Sequence, residues 1–248
     1  MNPVVRSLFF AFASLLHPRM LWLMIWPMLV SLLVWGGAAL LLWGAIAVRI
    51  AAQLKQWIES GMFFFRFDTG DAMLVAAHVI MVLLFVPLVY LTALLILSVF
   101  GMQAMVEHVA ARHFPQLARR HGGGFAGSMV NSVVALAGLA VLGLVSIPFW
   151  LIPPLWPMIP VAIMGWVNQR VLRYDALAEH GSADEMRAIF SSRRRALYVL
   201  GAVLALLAYV PLLGMIMPVL FGLAFIHFLL GELEALRQAP IEGDVLRR

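Results

Sequence analysis

Residues 152–160 read IPPLWPMIP and residues 210–218 read VPLLGMIMP, so two apolar stretches 58 residues apart each carry prolines seven positions apart. Proline removes a backbone donor and clashes with the turn before it, so neither stretch is expected to continue as an unbroken helix. In hydrocarbon a freed carbonyl is costly unless protein or trapped water satisfies it. The implied element is a helical hairpin that enters a membrane and turns back, broken at Pro153 and Pro160 in the first copy and at Pro211, Gly214 and Pro218 in the second. Broken helices at corresponding places in two halves of a chain point to a permeation or binding site.

Composition demands the same solvent. Of 248 residues, 64% are hydrophobic and only 12% charged, with a mean hydropathy of +0.98. That exceeds what a soluble domain can bury, and it predicts an all-α integral membrane protein with one membrane domain over residues 1–248. Cysteine is absent, which excludes disulfides, thiolate chemistry and sulfur-ligated metal. The net charge of +5 sits in arginines beside apolar segments, a distribution suited to the anionic lipid bilayer and not to nucleic acid. No Walker motif, dinucleotide turn, His-Glu-x-x-His or Gly-x-Ser-x-Gly is present. The expectation is a protein that is not an enzyme and takes no cofactor.

The pass along the chain divides it into segments. In residues 1–19, Val4, Val5, Leu8, Phe9, Phe12, Leu15 and Leu16 fall at helical spacing with Arg6, Ser7 and Ser14 between them, which predicts an interfacial helix. Residues 21–48 carry no charge over 28 positions, too long for a signal-peptide core and long enough to span. Residues 74–100 form the second spanning helix, interrupted by His78 and Pro87. Two proline-broken hairpins follow over 129–167 and 196–230, joined by a cytoplasmic loop over 168–195. Their arms at 157–167, 196–210 and 215–230 are shorter than a comfortable span, as re-entrant segments are. Gly122, Gly123 and Gly124 read as a flexible joint, and Asn131 and Ser132 as caps near the first hairpin's start. Orientation follows from the basic residues. Fourteen arginines fall on one side of this arrangement, against Arg49, Lys55 and Arg66 on the other, which makes both termini cytoplasmic.

The run from Pro18 to Pro27, the pair Tyr174-Asp175 and above all the VPLLGMIMP stretch resemble the CysZ-type sulfate permeases and their relatives in the etoposide-induced protein family. The likeness covers most of the chain. It implies a bacterial inner-membrane protein with two long membrane helices and two partly inserted hairpins. It also implies a homo-oligomer that passes sulfate toward cysteine synthesis. In the sulfate permeases the first proline is followed by Gly, an aliphatic residue and Arg, and that Arg contacts sulfate. Here the matching positions hold Arg19, Met20 and Leu21, so the family's arginine position is a leucine.

A dehydrated oxyanion needs donors, which arginine forks or the free amides of helix starts supply. Arg19 stands at the mouth of the first span, as a ligand contact or as a snorkelling anchor. Helix starts after Pro160 and Pro218 would add amides. Arg170, Arg173, Tyr174 and Asp175, with Glu107 and Arg112 on the helix leaving the second span, form a candidate cytoplasmic vestibule; a solvated loop explains them as well. His78 and His227 lie inside apolar spans without a visible partner and read as neutral packed side chains, too far apart in sequence for a metal motif. No carboxylate lies in the apolar spans to relay protons. The expectation is a conduit for a small inorganic anion, sulfate first. The alternative is a non-transporting membrane scaffold or stress-related factor that keeps the fold without the family's arginine. The charge count sets a test of orientation: a cytoplasmic reporter fused after Arg248 should be active and one near Ser60 silent, with a periplasmic reporter giving the reverse.

Overall fold

The computed structural model describes residues 2–58, 70–210 and 213–238, so Pro211, Ser60, Arg66 and Arg248 lie outside the described residues. Among the described residues the chain is helical and contains no strand. The helices are α1 (Pro3–Leu15), α2 (Pro18–Trp57), α3 (Gly70–His113), α4 (Phe125–Ser146), α5 (Met158–Leu177), α6 (Ala183–Ser192), α7 (Arg194–Leu207) and α8 (Leu213–Gln238). Between α4 and α5 lie two short 3₁₀ turns, Ile147–Leu151 and Pro153–Leu155. Among the described residues four helical stretches are long and apolar enough to cross a membrane: Pro18–Trp57, Asp71–His113, Ala126–Leu151 and Ile216–Gln238. The chain divides into two compact units, residues 22–99 and residues 1–21 with 100–248.

The smaller unit consists of the adjoining parts of α2 and α3. Apart from Leu23 and Pro27 its buried positions are small or unbranched, Ser31, Ala47, Ala51, Ala77, Met81 and Ala93, while Leu33, Leu40, Leu41 and Leu83 are exposed. A water-soluble helix shows the opposite distribution. In lipid the tails are as apolar as leucine, so helices gain by bringing backbones together over small residues. A polar bond helps to fix the pair: Trp35 Nε1 donates to Thr92 Oγ1 at 2.9 Å, and Thr92 Oγ1 donates in turn to Leu88 O at 2.8 Å. His78 lies 6.2 Å from the Trp43 ring, and its Nδ1 is 2.6 Å from Leu74 O. Pro27 and Pro87 are accommodated inside α2 and α3.

The larger unit is built around α8. Leu220, Leu223, Phe225, Ile226, Leu229, Leu230 and Leu233 are fully buried, and α1, α5, α6 and α7 pack against this helix. α1 presents Val4, Ser7, Ala11, Ser14 and Leu15 to the interior and leaves Val5, Phe9 and Leu16 exposed. The two serines expected among the polar residues of an interfacial helix are thus on its protein side with Val4 and Leu15, and Val5, Phe9 and Phe12 are outside. Ser14 Oγ lies 2.9 Å from Nε2 of His227, which supplies the buried histidine with a partner.

The α4/α5 break falls where the prolines place it, but the helices extend beyond the expected segments. α5 begins at Met158, ahead of Pro160, and runs on to Leu177 without stopping at the polar onset near Asn168. Residues 168–195 therefore hold the end of α5, all of α6 and the start of α7, where a loop was expected. Helical hydrogen bonds are internal to the segment, so a change from apolar to polar side chains does not end them. α8 begins at Leu213, with Gly214 second and Pro218 inside the helix as its sixth residue, so no helix starts after Pro218. At the sixth position Pro218 lacks the amide that would bond to Gly214 O, so α8 forgoes that one bond and continues. The second break lies before α8, where turns occupy residues 208–210.

α5 and α7 cross at glycines. A Cβ built on Gly201 would lie 2.5 Å from Gly165 O, and one on Gly165 would lie 3.1 Å from Ala202 Cβ. Backbone meets backbone there, so the contact cannot yield by a rotamer change. Gly201→Ala should therefore lower the melting temperature in detergent, at a cost of about 1–3 kcal/mol typical of overpacking. Gly37→Ala, where a Cβ meets nothing within 4 Å, should lose nothing and gain up to about 1 kcal/mol of helix propensity.

Candidate functional site

The expected vestibule separates into two groups in the larger unit. The first lies at the hinge between α1 and α2. His17 precedes α2; its carbonyl accepts from Met20 N at 2.9 Å and Leu21 N at 3.1 Å, and its Nδ1 accepts from Arg19 N at 3.2 Å. The ring thus caps the first turn and leaves the Arg19 side chain exposed. Against it lies His108 of α3, with ring centroids 4.5 Å apart. His108 Nε2 is buried and has no hydrogen-bond partner. Arg112 stands one helical turn beyond His108, exposed, and Glu107 is exposed on the same helix. No carboxylate pairs with Arg19 or Arg112 among the described residues. His17 was not singled out in the sequence, although its place directly before Pro18 is a cap position. Leu21 is 41% exposed and makes no polar contact.

The second group is on α5, and α4 holds it. Ser128 Oγ donates to Asp175 Oδ1 at 2.6 Å, and Asn131 Nδ2 donates to Arg170 O at 2.6 Å. Asn131 is thus a strut between helices, not a cap. Burial raises the Asp175 carboxyl above its ordinary range, and the Ser128 bond works against that rise. Tyr174 packs its hydroxyl against Gly127, where a Cβ would collide with it, and accepts from Gly124 N at 3.3 Å. Arg173 donates from Nη1 to Gln169 Oε1 at 3.2 Å and lies over the Phe190 ring, 4.7 Å from its centroid. Burial, with the charges of Arg170 and then Arg194, pulls the Arg173 guanidinium down to about 10.

The glycine triplet that read as a flexible joint is docked. His121 N, Gly122 N and Gly123 N donate to the carbonyls of Glu179 at 2.9 Å, Gly181 at 2.8 Å and Ala178 at 3.0 Å. A Cβ on Gly122 would lie 2.5 Å from Ala183 N, and one on Gly123 would lie 2.6 Å from Ala178 Cα. Gly122 and Gly123 are there because backbone approaches backbone, while a Cβ on Gly124 would meet nothing within 4 Å. The same corner is clamped by charge. Glu185 Oε1 accepts from Arg120 Nη1 and Arg237 Nε, both at 2.9 Å. Its Oε2 accepts from Arg237 Nη2 at 3.0 Å and Ser182 N at 2.7 Å, the last closing a capping box on α6. Arg237 also donates to the carbonyls of Ala118 at 2.8 Å and His180 at 2.7 Å.

The cavities among the described residues of this unit include an apolar one and a polar one. One, of about 300 Å³, is apolar and lies between α5, α7 and α8, with Pro160, Met164, Asn168, Tyr209 and Phe221 in its wall. The other, of about 370 Å³, is lined by Arg6, His113, Arg193, His227, Glu232 and Gln238 among others. In it the His113 and His227 rings meet at 4.9 Å, and Arg193 is paired with Glu232 at 2.8 Å. Among the described residues no group of three or more His, Asp or Glu side chains is placed to hold a metal ion.

Helices of this length and apolarity, with arginines gathered at the polar ends of a broken helix pair, define a multi-pass α-helical membrane protein. The chain belongs to the family described as sulfate transporter CysZ/etoposide-induced protein 2.4, whose family model matches residues 7–218. Comparisons with the curated proteins and with the solved structures returned no match.

The Glu185 clamp carries a pH dependence whose sign is fixed. Its bonds from Arg237 hold the carboxyl down to about 2, against an ordinary value of 4.5. A depressed carboxyl contributes stability that is complete above the unfolded value and is lost as pH falls through the folded one. Hydrogen-exchange protection of residues 118–123 and 180–186 should hold above about pH 5 and fall between about 4.5 and 2. Glu185→Gln should lower that protection at neutral pH and flatten the acid dependence.

Proposed function

We propose that this chain is a conduit for a small inorganic anion, sulfate first, in a bacterial inner membrane, with both termini cytoplasmic and several copies assembled together. The observation that carries the reading is the basic hinge at Arg19. Arg19, His17, His108 and Arg112 gather at the start of α2 with no carboxylate paired to either arginine among the described residues. This is the place where the resemblance to sulfate permeases puts an anion contact. An uncompensated guanidinium offers a charge-assisted fork to an oxyanion, and the buried Nε2 of His108 is an unused polar atom beside it.

The broken helices support insertion from one side. From Asn131, level with Arg170, to the end of α4 is about 22 Å at 1.5 Å per residue, and α7 from Arg194 to Leu207 is about 21 Å. α7 falls short of the roughly 30 Å hydrocarbon core, and so does α4 when counted only from the level of Arg170, whereas Ala126–Leu151 as a whole is long enough to cross. The first turn is apolar throughout, with Trp150 Nε1 bonded to Ser146 Oγ at 3.3 Å and Trp156 Nε1 donating to Trp150 O at 2.7 Å. A turn that satisfies its own donors is fit to lie within the bilayer.

A second reading, a non-transporting scaffold with this fold, is favoured by Leu21 at the family's arginine position. Radiolabelled sulfate flux into proteoliposomes separates the two. Arg19→Ala should cut flux about tenfold or more, the usual loss for a charged hydrogen bond. Arg19→Gly with Leu21→Arg should restore or raise it at constant net charge. Absence of flux in the parent and in the double variant, with both folded, would leave the scaffold reading.

A further inference from the structure

Among the described residues five arginines of the larger unit are matched to carboxylates. Arg119 pairs with Glu179, Arg120 and Arg237 with Glu185, Arg187 with Asp184 and Arg193 with Glu232. Arg170 and Arg173 of α5 and Arg194 at the first turn of α7 have no such partner among the described residues. The carboxylate on their own helix, Asp175, is engaged by Ser128. The Nε atoms of both Arg170 and Arg173 are buried without an acceptor, which protein interiors rarely tolerate. Arg173 is held in place: Gln169, 4% exposed, accepts from its Nη1, and the Phe190 ring lies beneath its guanidinium. The electrostatics agree, since Arg170 and Arg194 both act on Arg173 as uncompensated positive charges.

We propose that Arg170, Arg173 and Arg194 form a binding site for a tetrahedral oxyanion, either the phosphate of an anionic phospholipid headgroup or free phosphate or sulfate. Two forks from α5 and one from α7 supply more N–H donors than a single oxyanion has lone pairs, and planar guanidinium suits it better than ammonium does. The cluster lies where two apolar helices turn polar, the level at which headgroups of the arginine-rich side are met. The site is separate from the Arg19 hinge and requires no flux, so a chain that conducts nothing still passes or fails the test.

The test uses the full chain purified in detergent. Native mass spectrometry would compare retention of phosphatidylglycerol with that of phosphatidylcholine, and equilibrium dialysis would measure labelled phosphate and sulfate. Arg170→Gln with Arg173→Gln, and separately the exposed Arg194→Gln, should each weaken the retained probe about tenfold or more. Arg195→Gln, an exposed neighbour with the same loss of charge, should not. Loss of phosphatidylglycerol retention assigns the site to lipid, and loss of dialysis binding assigns it to a free ion. No probe bound by the parent overturns the proposal, as does binding that Arg194→Gln leaves intact or that Arg195→Gln weakens equally.

Discussion

The larger unit depends on how closely α5 and α7 approach. In an apolar solvent, helices gain nothing by hiding leucine from lipid, so contact distance decides whether they associate. Gly165 and Gly201 leave only the Ala202 methyl at the crossing and let carbonyl and Cα surfaces approach. That point of contact sets the relative position of both helices along their whole lengths. Gly165 lies five residues before Arg170 and Gly201 seven after Arg194, so the crossing brings the polar ends of both helices together. The same device recurs where α4 meets α5, with Gly127 under Tyr174 and Gly138 under Trp166. Where polar chemistry gathers is therefore a by-product of where Cβ atoms are missing.

Charge at this end separates into two kinds. Glu185 is a hub whose two oxygens accept from two arginines and one backbone amide, joining α6, α8 and the segment before α4. A carboxylate so occupied has nothing left to offer an incoming anion and serves to hold the corner shut. The arginines without carboxylates, Arg19 and Arg112 at the hinge and Arg170, Arg173 and Arg194 at the crossing, have the opposite character. Their positive field is unanswered within the described chain, and the surrounding helices hold them in it.

Hydropathy was enough to reveal the membrane class, the long helices and the first break, because those depend on composition summed over many residues. It did not reveal which side of a helix faces protein. α1 shows why: its serines look polar and its phenylalanines apolar, yet Ser14 is inside, bonded to His227, and Phe9 is outside. On α1 polarity alone does not sort the two faces, since Ser7 and Ser14 are inside with Val4 and Leu15. Pro218 read as a break because proline costs a donor, but α8 forgoes that one bond and runs through it. The glycine triplet read as slack because composition cannot say that Ala178 and Gly181 lie against it. Arg19 was legible from its place beside Pro18. His17 and Arg194 were not singled out, since each acquires meaning only from a neighbour distant in sequence, His108 in one case and Arg173 in the other.

The Ser14–His227 bond joins positions 213 residues apart. At a synthesis rate of roughly 5–20 residues per second, the partner of α1 leaves the ribosome some 10–40 s after α1 itself. During that interval the buried face of α1, with Ser7 and Ser14, has no protein to pack against, and its exposed phenylalanines have only lipid. The first helix made is among the last to reach its final contacts. The unpacked state of α1 is thus a waiting state imposed by chain order, and arrival of α8 turns it into a packed one.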